Sequence, residues 1–96
     1  MMIRFLSCAQ QELNEAVSWY NEQSAGLGFD FAAEVKRALS RMEEHPEAWS
    51  LISRRTRRIR ISRFPYGVIY QIREDCLLVV AIMHMSRNPI HWKSRI

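Results

Sequence analysis

The eight residues Cys76–Met83, CLLVVAIM, contain no charged or hydrogen-bonding polar side chain. A strand with one wet face alternates apolar and polar residues, whereas an unbroken apolar run is covered on both faces. A short buried helix would read similarly. The paired valines and the tight Glu74-Asp75 turn before the run favour a strand. Such a strand lies inside a sheet, so the rest of the chain has to supply its neighbours and its covering layers.

The neighbours are legible on either side. From Arg57 to Ser62 the text R-R-I-R-I-S puts Ile59 and Ile61 on one face and Arg58, Arg60 and Ser62 on the other. Phe64-Pro65-Tyr66-Gly67 reads as a corner, and Val68–Arg73 as a further strand. With the apolar run these make a meander. Near the start, Met2–Leu6 is a short, mostly apolar strand. Ser7-Cys8-Ala9-Gln10 then fits a capping box. Ala9, Leu13, Ala16, Val17 and Tyr20 recur at helical spacing, with Trp19 expected to flank the core beside that stripe. Gly26 and Gly28 allow a reversal. A second helix from about residue 29 to 44 presents Phe31, Val35, Ala38, Leu39 and Met42, with Asp30 near its positive end. It stops at His45-Pro46, because the residue before proline avoids helical angles. Residues 46–53 read as a loop with Trp49 tucked beneath. The expected fold class is α+β: a helix hairpin packed on one face of a mainly antiparallel four-stranded sheet, in the order β-α-α-β-β-β. Residues 1–96 are expected to form a single domain. The other sheet face is expected to be open and to carry the arginines.

Charge points to the kind of partner. Fourteen Lys and Arg against ten Asp and Glu give +4, and all but Lys36 and Lys93 of the basic residues are arginine. Six of the ten residues from Arg54 to Arg63 are arginine. The planar guanidinium fork suits phosphate and carboxylate, although many small domains are basic by chance. Cys8 and Cys76 lack C-x-x-C spacing, and no histidine pair has zinc-site spacing, so neither disulfide, metal nor cofactor is expected. Ordinary thiols suit a reducing cytosol. MMIRFLSCAQQEL lacks a signal peptide's apolar core, and no run approaches the ~18 apolar residues of a membrane span. A cytoplasmic location with no membrane contact is therefore expected. His45 ends a helix and His91 lies in the C-terminal tail. His84 ends the central strand and is placed for acid–base work.

Four segments carry a resemblance: A-V-S-W-Y (Ala16–Tyr20), G-L-G-F-D-F (Gly26–Phe31), R-F-P-Y-G-V-I-Y (Arg63–Tyr70) and H-M-S-R-N-P-I-H-W-K-S-R (His84–Arg95). In this order and spacing the chain resembles toxins of the RelE/ParE superfamily, the toxin half of type II toxin–antitoxin pairs. The resemblance implies a small cytoplasmic growth inhibitor. It also implies a cognate antitoxin that lays a helix or extended segment across the toxin's exposed surface. Two activities occur in the superfamily. RelE-like members cleave mRNA in the ribosomal A site, and ParE-like members poison DNA gyrase. Fold does not choose between them.

Metal-independent cleavage needs a base for the attacking 2′-hydroxyl, an acid for the leaving oxygen, and cations for the charge developing on phosphorus. Arg60, Arg63, His84 and Arg87 are the candidates for those roles. By carry-over from RelE-like nucleases, Trp92 falls where a tyrosine is expected, and Ser86 falls near an expected basic residue. An indole stacks on a base but is no phenolic acid. Tyr70 reads as sheet packing and Tyr66 as an exposed corner residue. These departures favour a ParE-like toxin acting on DNA gyrase, with the RelE-like mRNA endoribonuclease as the alternative. A plain basic nucleic-acid-binding domain is a third reading. In each, Arg58, Arg60, Arg63, Tyr66, Arg87 and Trp92 form the expected target- or antitoxin-binding surface.

Overall fold

A computed structural model describes residues 1–88 and 90–96; Pro89 of the closing motif lies outside the described residues. The element order is β1 (Met2–Phe5), α1 (Ser7–Gln23), α2 (Leu27–Glu44), β2 (Ser50–Leu51), β3 (Thr56–Arg60), β4 (Tyr66–Ile72), β5 (Cys76–His84) and α3 (Ile90–Lys93). The strands form one sheet in the order β1-β5-β4-β3-β2. β1 runs parallel to β5, and the other pairs are antiparallel. The α+β class and the helix hairpin are as expected, but the sheet has five strands rather than four. The added one is β2, inside the segment read as a loop. Its two residues, both exposed, are too few to show a period, and only their pairing with Arg57 and Arg58 makes them a strand.

The two helices approach each other at Gly28. A Cβ there would run into the Val17 carbonyl oxygen and the Asn21 side chain. Asn21 Oδ1 instead accepts the Gly28 N–H at 2.7 Å, so α1 caps an otherwise orphaned donor at the start of α2. The reversal itself uses Gly26 at φ 85°. The capping box expected at Ser7 does not form, because the helix begins one residue earlier than that box requires. Leu6 is the N-cap and no side chain caps it. Its N–H donates to the Val79 carbonyl at 3.0 Å, which ties the helix start to the sheet.

Two apolar layers enclose the sheet. Between sheet and hairpin lie Phe31, Val35, Ala38 and Met42 of α2 against Ile59, Val68, Tyr70, Leu77, Val79 and Ile82. On the opposite face, Ile69, Val80, Ala81 and Met83 pack with Trp92, which is only 2% exposed. That face is therefore not simply open. Left bare, it would expose a contiguous apolar surface to water, and one indole on a one-turn helix covers it. Trp92, expected on the exposed binding surface, is thus part of the core. Trp19 departs from expectation in the other direction. It is 54% exposed, edge-on to Tyr20.

A bulge in β5 decides which residues reach which layer. Ile69 pairs with Ala81 and Tyr70 with Val79, so Val80 is the extra residue. Leu77 and Val79 belong to the hairpin side, Val80 and Ala81 both to the Trp92 side, and Ile82 to the hairpin side again. The phase of the strand flips at that point. His84, two residues past Ile82, consequently stands against Tyr66.

β1 pairs only with Cys76–Val79, so β5 outlasts it. Along the remaining edge, Glu12 Oε1 accepts the Ile82 N–H at 3.1 Å, and Arg95 donates to the Val80 carbonyl at 2.9 Å. The two side chains join in a forked ion pair, both contacts at 2.9 Å. The bond to Glu12 raises the Arg95 pKa, against an opposing effect of burial. At the other end of the sheet, the fully buried Tyr70 hydroxyl donates to the Pro46 carbonyl at 2.6 Å. Arg57 donates to the carbonyls of Glu47 and Trp49 at 2.9 and 2.8 Å, which fixes the loop after α2.

Replacing Tyr70 with Phe is expected to cost about 1 kcal/mol at neutral pH, the usual net value of such a bond. Burial pushes the Tyr70 phenol from 10.0 up to about 12, with Arg57 opposing. Between those values the folded chain keeps the proton that the unfolded chain has released. Stability is therefore full below pH 10 and falls as pH rises toward about 12. Urea unfolding across that range should show a shallower alkaline loss in Tyr70→Phe; identical slopes would contradict the assignment. Glu12→Ala should remove roughly 1–3 kcal/mol, since Arg95 and the Ile82 N–H both lose their acceptor. Amide exchange at Ile82 should accelerate, and an unchanged rate would show that the edge is held by something else.

Candidate functional site

His84 and Tyr66 face each other across the β4–β5 pair, with ring centroids 5.2 Å apart. His84 Nδ1 accepts the Ser86 N–H at 3.1 Å and lies 2.7 Å from Ser86 Oγ. An accepting Nδ1 puts the proton of the neutral ring on Nε2, which becomes the available donor. Tyr66 is half-buried rather than an exposed corner residue. Its ring lies 4.9 Å from Phe31 and 6.1 Å from Tyr20, because the corner folds back over the turn end of the hairpin. Burial raises its phenol pKa, Arg87 lowers it and Glu12 raises it, with the net direction upward. The Tyr20 phenol is raised by burial and then by Tyr66. Both phenols are therefore proton donors at neutral pH, not bases.

Two recesses meet at this strand end. A groove of about 670 Å³ runs between α1 and the ends of β4 and β5, lined by Glu12, Glu15, Trp19, Tyr20, Tyr66, His84 and Arg87. A hollow of about 120 Å³ is bordered by Arg58, His84, Arg87 and Lys93, over Ile52, Ile69, Met83 and Trp92. His84 and Arg87 line both. Gly67 has a specific part here. A Cβ at Gly67 would stand 3.0 and 3.1 Å from Cγ and Cδ of Arg58 and 3.2 Å from Met85 Sδ. Its absence lets the Arg58 stem lie across β4 toward the end of β5.

The structure brings together only some of the expected residues. Arg58, His84 and Arg87 share the hollow, and Tyr66, His84 and Arg87 share the groove. Arg60 lines a different depression, with Arg41, Trp49 and Arg58, so Arg58 alone borders both that depression and the hollow. Arg63 has φ 72°, sits 3.7 Å from Asp30 and lies over the Phe64 ring at 5.6 Å. Neither Arg60 nor Arg63 lines a recess that holds His84. Sequence reading missed Lys93, Glu12 and Gly67. Lys93 ends a helix too short to be periodic, and the other two matter through contacts distant in sequence. Among the described residues, no group of three or more His, Cys, Asp and Glu is arranged to hold a metal ion. No helix among them is long and apolar enough to cross a membrane.

Chemically, the strand end can hold anions with its guanidinium and ammonium groups. It offers one imidazole beside a phenol that burial keeps protonated.

Comparison with known proteins places this geometry. No curated sequence matches the chain significantly. Among solved structures, a chain of the chromosomal ParDE TA system from P. aeruginosa superposes with a TM-score of 0.70 at 9% identity, covering 88% of this chain and 95% of that one. An arginine-to-alanine mutant of the E. coli toxin RelE in the free state gives 0.69 at 20% identity, covering 99% and 96%. The isolated E. coli RelE toxin gives 0.62 at 19%, covering 98% and 94%. These likenesses concern the fold. The family model described as the ParE toxin of the type II toxin–antitoxin system parDE matches residues 3–89. That match spans nearly the whole chain, β1 through the segment after β5, and so the chain belongs to the ParE toxin family of type II toxin–antitoxin systems.

Proposed function

We propose that this chain arrests growth in the cytoplasm by acting on DNA gyrase, and that a cognate antitoxin neutralises it by covering the strand end. The family match over residues 3–89 carries this reading. Membership of a type II family implies the antitoxin partner. The site agrees with a toxin that works by occupying a surface of its target. Its cations stand at the rim of two recesses, ready to meet acidic or phosphorylated surface. Arg60 and Arg63 line neither of the recesses that His84 and Arg87 line. Trp92 is buried and supplies neither a phenol nor a stacking platform.

One observation favours the second reading, ribosome-dependent cleavage of mRNA. His84 stands beside Tyr66, and Arg87 lines the same groove, so an imidazole, a proton donor and a cation adjoin. In that case the His84 Nε2–H would protonate the leaving 5′-oxygen, the attacking 2′-hydroxyl would lose its proton to water, and Arg87 would stabilise the charge on phosphorus.

Expression without antitoxin is expected to stop growth, and purified chain is expected to suppress supercoiling by purified gyrase. Full gyrase activity in the presence of excess chain would refute the gyrase assignment. Primer extension on translated mRNA separates the alternatives. Cuts at fixed codon positions that vanish in His84→Ala would establish the nuclease; their absence beside inhibited gyrase supports the first reading. Cells indifferent to induction would leave only a nucleic-acid-binding module.

A further inference from the structure

We propose that the hollow bordered by Arg58, Arg87 and Lys93 is a binding site for a phosphate group. Arg58, Arg87, Lys93 and His84 all line about 120 Å³ of space, and no carboxylate lines it. Three acidic residues are engaged elsewhere. Glu34 pairs with Arg37, Asp30 with Arg63, and Glu12 with Arg95. Among the described residues, Arg58, Arg87 and Lys93 form no ion pair. Mutual repulsion therefore acts among them, and an anion in the hollow relieves it.

The hollow is built rather than incidental. Its residues come from β3, the end of β5, the turn after it, and α3. Its floor is apolar, formed by Ile69, Met83 and the buried Trp92, and a low-dielectric floor strengthens the field above it. Gly67 leaves room for the Arg58 stem to lie across β4, since a Cβ there would stand 3.0 Å from its Cγ. Lys93 stands over the Trp92 ring at 6.0 Å. In the neutral His84 ring the Ser86 contact occupies Nδ1 and leaves Nε2–H as a donor. Donors on several sides match the oxygens of a tetrahedral anion better than a planar carboxylate, and guanidinium forks bind phosphate oxygens in pairs. The space admits a phosphate with its ester atoms but not a whole nucleotide. The phosphate is thus either a diester within a nucleic acid or a free or terminal group. This site does not depend on gyrase being the target, and its test contains no gyrase.

Calorimetric titration of the purified chain with inorganic phosphate, AMP and a thymidine trinucleotide without terminal phosphates tests it. Saturable binding that weakens with salt is expected, together with a shift of the Trp92 indole N–H resonance. Arg58→Gln/Arg87→Gln should weaken binding about tenfold or more, the loss of two charge-assisted bonds. Arg54→Gln/Arg55→Gln removes equal charge from the exposed β2–β3 turn and should change it little. Binding of the trinucleotide identifies a diester source. Binding of phosphate and AMP alone identifies a free or terminal phosphate. If the double variant proves unfolded by circular dichroism, Lys93→Gln, exposed at the rim, serves instead. No binding of any probe, or equal losses in both double variants, would overturn the proposal.

Discussion

The fold depends on satisfying β5 on both faces and both edges. Its apolar text leaves no side chain for water, and its length carries it beyond the strand beside it. A strand edge left unpaired inside a protein strands N–H and C=O groups at a cost comparable to a lost hydrogen bond each. Glu12 and Arg95 meet that requirement with one ion pair that also bonds the edge. The bulge at Val80 and the indole of Trp92 meet the requirement on the faces. These same devices position the candidate site. The bulge turns His84 toward Tyr66, and α3, held by Arg95, brings Lys93 to the hollow. Structural necessity and functional geometry are therefore one set of contacts here.

The cations divide accordingly. Arg57 and Arg95 donate to backbone carbonyls and act as framework. Arg37 and Arg63 neutralise carboxylates on α2, the first at the buried Glu34 and the second at the exposed Asp30, where such a pair contributes little to stability. Arg58, Arg87 and Lys93 do neither and line the hollow. Net charge alone would have predicted a diffuse attraction to acidic partners. The division leaves three cations together at the end of β5, apart from the exposed Arg54, Arg55 and Arg60.

Local pattern was readable wherever a residue's role follows from its neighbours in sequence. The central strand, the helix hairpin, and the inward Ile59 and Ile61 are set by periodicity, and the structure has them. What escaped depends on partners far along the chain. A two-residue strand has no period, and a four-residue helix has no face, so β2 and α3 were invisible. Ser7 suits a cap in isolation, yet the exit from β1 starts the helix before it. Tyr66 follows a proline at a corner and reads as exposed, while the corner's return over Phe31 buries half of it. Of the site, His84, Arg58 and Arg87 were legible as residue types at a strand end. Which arginines join them was not, because that is fixed by side-chain direction, by Gly67 and by the ion pairs that remove Arg63.

The relation between packing and activity is sharpest at Trp92. The solved ParDE and RelE chains share this fold at 9% and 20% identity, so backbone architecture tolerates nearly complete replacement of side chains. Resemblance to RelE-like nucleases leads to a phenol at position 92, which needs access to solvent and substrate to move a proton. Here the side chain at that position closes the second face of the sheet over Ile69, Val80 and Met83. A tyrosine turned outward would uncover those residues, and one turned inward would bury a hydroxyl among apolar neighbours, at a cost unless a partner were supplied. In this chain the position is therefore committed to the core. An acid for phosphoryl chemistry would have to come from the opposite side of the strand end, where Tyr66 stands. Divergence in activity on this fold is thus limited by which side chains remain free once the sheet is covered.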